Sequence, residues 1–349
     1  MIAVLKRLAS IRLTLLWMAL LAIGAALNYD NPVDTPVWVL VAPLALLGIN
    51  LLAAIITNAR INRRGGLLIF HVALLMIVIL AAIGRLTHME AHIEMVDGMG
   101  FTPERLINVR QGPLHSGKLD QVHFIQGPYT IEYRPGMMRG LTHSQVLVPD
   151  GAGGWERKVV GDDRPLILEG YRFYTTFNKG FAAVLTWMPD GGEAQTGTIH
   201  MPSYPLFEFR QANRWTPVEG GEQIKFWLQL ETGIDPEGYW VLDARKSQAS
   251  LVLRTGGQRV ELQPGETVRL ERGVLRYDGL SSWMGYKLYY DPTLQWLFLT
   301  AMLSVLGLAI HFWKKFANHP WPQPTSNRKD AGHASSDTRT AVIDKGRMV

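Results

Sequence analysis

Cysteine is absent from the sequence. That excludes disulfides, thiol redox chemistry, thiolate metal centres and a haem attached covalently through a C-x-x-C-H motif. No G-x-S-x-G elbow, H-E-x-x-H pair or P-loop occurs, so the hydrolase and phosphate-binding chemistries those patterns support have no footing. Two adjacent carboxylates, Asp162 and Asp163, fall in a Gly/Pro turn, where Asp is expected for backbone reasons.

What the sequence does contain is four long apolar runs, at about 13–29, 36–57, 67–86 and 292–313. A helix rises about 1.5 Å per residue and the hydrocarbon core is about 30 Å thick, so each run is long enough to cross a bilayer. Hydrophobic residues make up 47% of the chain, the average expected when a membrane part is joined to a water-soluble part. The expected architecture is three transmembrane helices within 1–86, a β-rich domain over 87–291, a fourth helix over 292–313 and a mostly disordered tail over 314–349.

Charge orients this arrangement. Lys6, Arg7 and Arg12 precede the first run, Arg60, Arg63 and Arg64 separate the second from the third, and Lys314 and Lys315 follow the fourth. The link "NYDNPVDTP" between the first two runs has two Asp and no base. Cytoplasmic loops retain Lys and Arg, so both termini are expected in the cytoplasm, with 87–291 on the far side of the membrane. Residues 87–291 carry 21 Lys and Arg against 25 Asp and Glu, whereas the expected cytoplasmic pieces carry 13 against 3. The net basicity therefore follows bilayer topology and is no nucleic-acid footprint. The first run also ends in small residues, "IGAAL", that would suit signal-peptide cleavage; a retained helix is the reading adopted.

Within 87–291 the period changes from 3.6 to 2. "IKFWLQL" sets Ile224, Phe226, Leu228 and Leu230 on one face, and "YTIEYR", "SQVLV", "AAVLTW" and "ASLVLR" behave alike between turn signals such as "PDGAGG" and "TGGQ". An antiparallel all-β domain, a sandwich or open barrel, is expected.

Histidines supply the candidate chemistry. His71 interrupts "LLIFHVALLMIVILAAIG", four residues inside the cytoplasmic end of the third run. An ionisable group at that depth faces a bundle interior, a cavity or a ligand. One reading is an imidazole bonded to Asn50 of the second span; the other is an axial ligand to haem iron. His311 in the fourth run is expected at matching depth, which would allow a two-histidine b-haem site, or it anchors the interface beside Trp313. His88 and His92, four apart with Glu90 between them, would share one face if the third helix continued, a weak metal pattern. His115, His123, His143 and His200 form no constellation.

Several stretches together resemble the ResB family: "LKRLASIRLTLLWMALLAIGAAL", "FHVALLMIVILAAIGRL" leading into "AHIEMVDGM", "FIQGPYTIEYRPGMMRGLTHSQVLVPDG", "LEGYRFYTTFNKGF" and "SWMGYKLYYDPTLQWLFLTAMLSVLGLAIHFWKKF". The resemblance implies system II cytochrome c maturation. In that pathway a ResB protein and a polytopic partner of the ResC/CcsA type carry haem across the membrane and present it to apocytochrome c. A histidine early in the third span is associated with haem passage in the family, and His71 matches it. The resemblance implies haem b as a transient cargo. The partners it implies are the ResC/CcsA-type protein, apocytochrome c and a thiol-disulfide reductase of the pathway. The close W-x-W-D pattern of the partner type is missing, since no two of the eleven tryptophans are spaced by two residues. The chain is thus expected to be an accessory subunit of a holocytochrome c synthetase, not catalytic alone. The alternatives are an electron-transfer anchor holding b haem through His71 and His311, and a haem-free scaffold of a membrane complex.

Overall fold

The computed structural model describes residues 2–204, 210–217, 221–231, 235 and 237–317. The expected disordered tail from 318 onward lies outside the described residues, while 314–317, assigned to that tail by sequence, are helical.

Helices α1 (Ile2–Leu8), α2 (Ile11–Asp30), α3 (Trp38–Thr57), α4 (Ala59–Asn62) and α5 (Gly65–Thr87) open the chain, and α6 (Leu294–Ala317) closes it. Four of them, α2, α3, α5 and α6, are long and apolar enough to cross a membrane. Side chains such as Leu15, Ile23, Ile49 and Leu299 remain exposed, as lipid-facing residues must. Packing runs in a row, α2 on α3, α3 on α5 and α5 on α6. Asn50, buried in α3, accepts a hydrogen bond from Thr14 Oγ1 (2.7 Å) and donates to the carbonyls of Leu8 and Ser10. It ties α3 to the start of α2, so the expected bond between Asn50 and His71 is not made: the Asn50 amide is taken by Thr14 and by carbonyls where α1 ends and α2 begins.

Three antiparallel sheets build the domain between α5 and α6. The largest runs β2 (Ile107–Gln111), β1 (Met89–Val96), β15 (Gly273–Tyr290), β7 (Tyr171–Pro189), β6 (Leu166–Leu168), with β14 (Thr267–Leu270) also on β15 and β8 (Gln195–His200) on β7. A second has β13 (Gln258–Leu262), β12 (Ala249–Thr255), β10 (Ile224–Leu230) and β9 (Ala212–Trp215). The third has β11 (Trp240–Leu242), β3 (Ile125–Arg134), β4 (Met138–Pro149) and β5 (Trp155–Gly161). The alternation read from "IKFWLQL" is observed: Ile224, Phe226 and Leu228 are buried while Lys225, Trp227 and Gln229 are exposed.

Without disulfides the domain depends on its core and on satisfied polar groups inside it. Tyr129, Tyr277 and Tyr286 are fully buried, yet each hydroxyl has a partner, at Gly180 O (2.8 Å), Ala249 O (3.2 Å) and Gln126 Oε1 (2.8 Å). Burying them contributes apolar area without stranding a hydroxyl, which would cost about 1–3 kcal/mol.

One buried charge is less well matched. Lys179 is 2% exposed, donates to Thr142 Oγ1 (2.7 Å) and lies 3.8 Å from Asp162, whose carboxylate is already held by Arg139 at 2.7 and 2.8 Å. Burial, and then the Arg139 charge, push the Lys179 ammonium down to about 7. A lysine titrating near 7 when folded and near 10.4 when unfolded lets the unfolded chain hold the extra proton between those values. The penalty is therefore complete below pH 7 and is relieved as pH rises. Domain stability is predicted to increase between pH 7 and about 9, by up to about 1.4 kcal/mol per pH unit. Urea unfolding of wild type and Lys179→Met checks this: the variant should lose that slope, and an unchanged slope would refute the assignment.

Candidate functional site

His71 sits on α5, the helix that enters the β domain. Its Nδ1 lies 2.8 Å from the carbonyl oxygen of Leu67, one turn earlier. Only a protonated nitrogen satisfies a carbonyl, so Nδ1 carries the hydrogen and Nε2 keeps its lone pair. Nε2 has no hydrogen-bond partner among the described residues. The Phe70 ring stands edge-on to the imidazole, with centroids 5.3 Å apart. A carbonyl that holds one ring nitrogen fixes the ring's orientation and leaves the other nitrogen open, as in metal-binding histidines.

His311 is placed by the contact between α5 and α6. A Cβ on Gly66 would stand 2.6 Å from His311 N and 2.8 Å from Gly307 O, and one on Gly307 would stand 2.7 Å from Phe70 N. Only glycine permits two helix backbones this close. The register sets the His311 backbone beside Gly66, five residues before His71, or about 7.5 Å along the axis. The matching depth expected from the span ends is therefore not found, because α6 continues to Ala317 past the start of α5. No contact between the two imidazoles occurs among the described residues. His311 instead lies edge-on to Phe312 and, with Arg63, Arg64, Lys314 and Lys315, lines a cavity of about 390 Å³ at this end of the helices.

The other end of α5 overturns the expected His88/His92 face. The helix stops at Thr87, and residues from Met89 pair with β15 as strand β1. Strand pairing prevails over the helical period here because every terminal carbonyl finds another donor. Gly84 O accepts from His88 N (2.8 Å), Arg85 O from His88 Nδ1 (2.9 Å), Leu86 O from Leu114 N (2.8 Å), Thr87 O from His115 Nδ1 (2.9 Å) and His88 O from Gly112 N (2.8 Å). Helix ends normally leave such groups to water. His115 also receives the Tyr171 hydroxyl on Nε2 at 2.8 Å, so its role is structural.

Glu90, expected beside a metal pair, is held by Arg110 (2.8 Å) and Lys287 (2.6 Å). Burial pushes its carboxyl up, but those two cations outweigh burial and leave it below the ordinary value. His92 lies on β1, with Nδ1 buried and unpartnered. Burial, then the Arg85 charge, lowers the His88 pKa, which favours neutral imidazole. His200 accepts a charge-assisted role instead, 2.9 Å from Glu94 and stacked on Trp283. No cluster of three or more His, Asp or Glu side chains suited to a metal ion exists among the described residues.

Sequence reasoning missed two arrangements. The Arg139, Asp162 and Lys179 cluster joins residues far apart in the chain where the sheet of β4 and β5 meets β7 of the largest sheet, and no local pattern announces it. The capping segment Gly112–His115 follows a register visible only after β1 and β2 have paired.

Comparison with known proteins gives one sequence assignment. The signature of the ResB-like family matches residues 55–241, just over half of the chain. The chain belongs to the ResB-like family. It is therefore a multi-pass membrane protein of cytochrome c biogenesis with four candidate helical spans. The ResB-like match begins inside α3 and ends in β11, so it contains His71 and the whole of α5 and leaves out His311. No curated protein matches the chain. Among solved structures, a cytochrome c heme lyase, CcmF, aligns with a TM-score of 0.28 and 12% identity over 87% of this chain. The chain spans 35% of that protein's length.

The Gly66 and Gly307 contact yields a prediction. Gly307→Val would drive a branched side chain into the backbone of Phe70, with an overpacking cost of about 1–3 kcal/mol. The purified variant should unfold at lower temperature in detergent than wild type, whereas Gly65→Ala, where a Cβ meets nothing within 4 Å, should not. Equal melting of the two variants would contradict the contact.

Proposed function

We propose that this ResB-like chain is a haem-conducting subunit of the system II cytochrome c maturation complex. His71 supplies one axial ligand to haem in passage, and a ResC/CcsA-type partner supplies the other. The observation that carries this is the state of His71: it lies within a membrane-length helix, its Nδ1 is committed to Leu67 O, and its Nε2 is open. Neutral imidazole is a good haem ligand, and the Leu67 carbonyl keeps the ring in the ligating tautomer.

In this reading both termini are cytoplasmic and the β domain faces apocytochrome c across the inner membrane. Haem b is cargo. It is captured near the Arg63 and Lys314 end of the bundle and released at the β-domain end. With no cysteine, reduction of the apocytochrome thiols falls to a separate reductase, and the chain is an accessory subunit of the synthetase. A second ligand from His311 is disfavoured by the register at Gly66, which offsets the two histidines along the helices.

The test is the haem content of the chain purified with and without its partner. The complex should show a histidine-ligated Soret band that is lost in His71→Ala and retained in His311→Ala, and the chain alone should hold little haem. A stable two-histidine spectrum from the chain alone, abolished by either substitution, would establish the electron-transfer alternative. Absence of haem from both preparations would leave the scaffold reading.

A further inference from the structure

The outward face of the second sheet carries a row of like charges. Strand register sets Arg214 of β9 opposite Lys225 of β10, Lys225 opposite Arg254 of β12, and Arg254 opposite Arg259 of β13. Directly opposed residues of antiparallel strands point to the same side, so four cations cross all four strands in register. All four are exposed, and no hydrogen bond or ion pair to any of their side chains occurs among the described residues. Trp227, 53% exposed, flanks the row on the same face, two residues along β10 from Lys225.

Like charges directly opposite one another destabilise a sheet. Carboxylates nearby are engaged elsewhere: Glu261 of β13 accepts from Ser250 Oγ (2.9 Å), and Glu222 accepts from the backbone N–H of Gly256. A row that costs stability and leaves an indole in solvent has the composition of a protein interface, where Trp and Arg are enriched and carry much of the binding energy. The row is also remote from the membrane. Ile224 and Thr255, each adjacent in sequence to a member of the row, line a cleft with Leu270 and Arg272, just before β15 begins. From Gly273, β15 runs to Tyr290 before reaching the helices, about 55 Å along the strand at about 3.3 Å per residue. The field of a lipid surface is screened within about 8 Å, so the bilayer does not reach this row.

We infer that this row docks a partner protein through an acidic amphipathic helix, whose carboxylates on successive turns meet the four cations while neighbouring apolar side chains cover Trp227. Spacing selects the occupant. Paired strands lie about 4.8 Å apart, and the row repeats at that interval. Successive turns of a helix repeat at about 5.4 Å, a mismatch of about 2 Å over three steps that long side chains absorb. Alternate residues of an extended strand repeat at about 6.7 Å, a mismatch of about 6 Å over the same steps. A second copy of the chain offers no such helix: among the described residues, every helix longer than seven residues is one of the four apolar spans. The inference uses neither haem nor His71.

The test is fluorescence anisotropy of labelled peptides titrated with the full-length chain in nonionic detergent. Two helical peptides share one composition: in the first the glutamates form a single stripe beside a stripe of leucines, and in the second they are spread around the helix. The striped peptide should bind about tenfold more tightly than the other. Lys225→Glu combined with Arg254→Gln should weaken it by about tenfold, and Trp227→Ala should do the same. The double variant should melt no lower than wild type, because it removes opposed like charges. Arg259→Gln, a single change on the edge strand β13, should weaken the striped peptide several-fold. Equal affinity for the two peptides, or binding that ignores these substitutions, would overturn the proposal. So would tighter binding of a heparin fragment than of the striped peptide, which would make the row a polysaccharide site. A dimer in sedimentation that Lys225→Glu dissociates would also overturn it, by making the row a contact between copies.

Discussion

The antiparallel contact of α5 with α6 organises the rest of the molecule. At one end the glycines at 66 and 307 let the two backbones meet, and at the other the helices continue directly into β1 and β15, which pair from Met89 with Tyr290 to Val96 with Trp283. A helix pair in the apolar segment thus becomes a strand pair beyond it. Because β15 also pairs with β7 along nearly its whole length, the largest sheet grows from that junction, and the domain's position over the helices is fixed by two covalent connections and one continuous interface. Such non-local pairing closes a loop of about 200 residues, which makes it costly in chain entropy and dependent on cooperative core burial.

The junction is also where polar accounting is strictest. Ending α5 beneath a folded domain leaves carbonyls without helical donors, and the segment from Gly112 to His115 answers them with backbone and imidazole donors. His88 takes part in the same accounting through Nδ1, so its orientation is a by-product of terminating the helix. His71 is oriented by a similar device, a carbonyl one turn back. Both imidazole orientations therefore follow from backbone satisfaction, one within the helix and one at its cap.

The spans and the β character were legible in the sequence because both rest on local periodicity. The run 67–86 corresponds to Gly65–Thr87, and the alternation in 224–230 corresponds to a strand buried on one side. Residues whose partners lie far away were not legible. Asn50 offered an amide to any neighbour, and only packing shows that Leu8, Ser10 and Thr14 take it. His88 and His92 carry a helical spacing that strand pairing overrides. The depth of His311 depended on a helix register that charge and hydropathy do not encode, since Gly66 and Gly307 are ordinary small residues until the two helices are opposed. His71 was legible as an anomaly in an apolar run and through the family resemblance; its tautomer was not.

The central claim is that haem in transit takes one axial ligand from this chain and one from another. It is tested most directly by labelling histidine with nitrogen-15 in this chain alone, assembling it with an unlabelled ResC/CcsA-type partner, and measuring nitrogen hyperfine couplings of the bound ferric haem. One labelled and one unlabelled axial nitrogen is the predicted result. Two labelled nitrogens, or none, would contradict it.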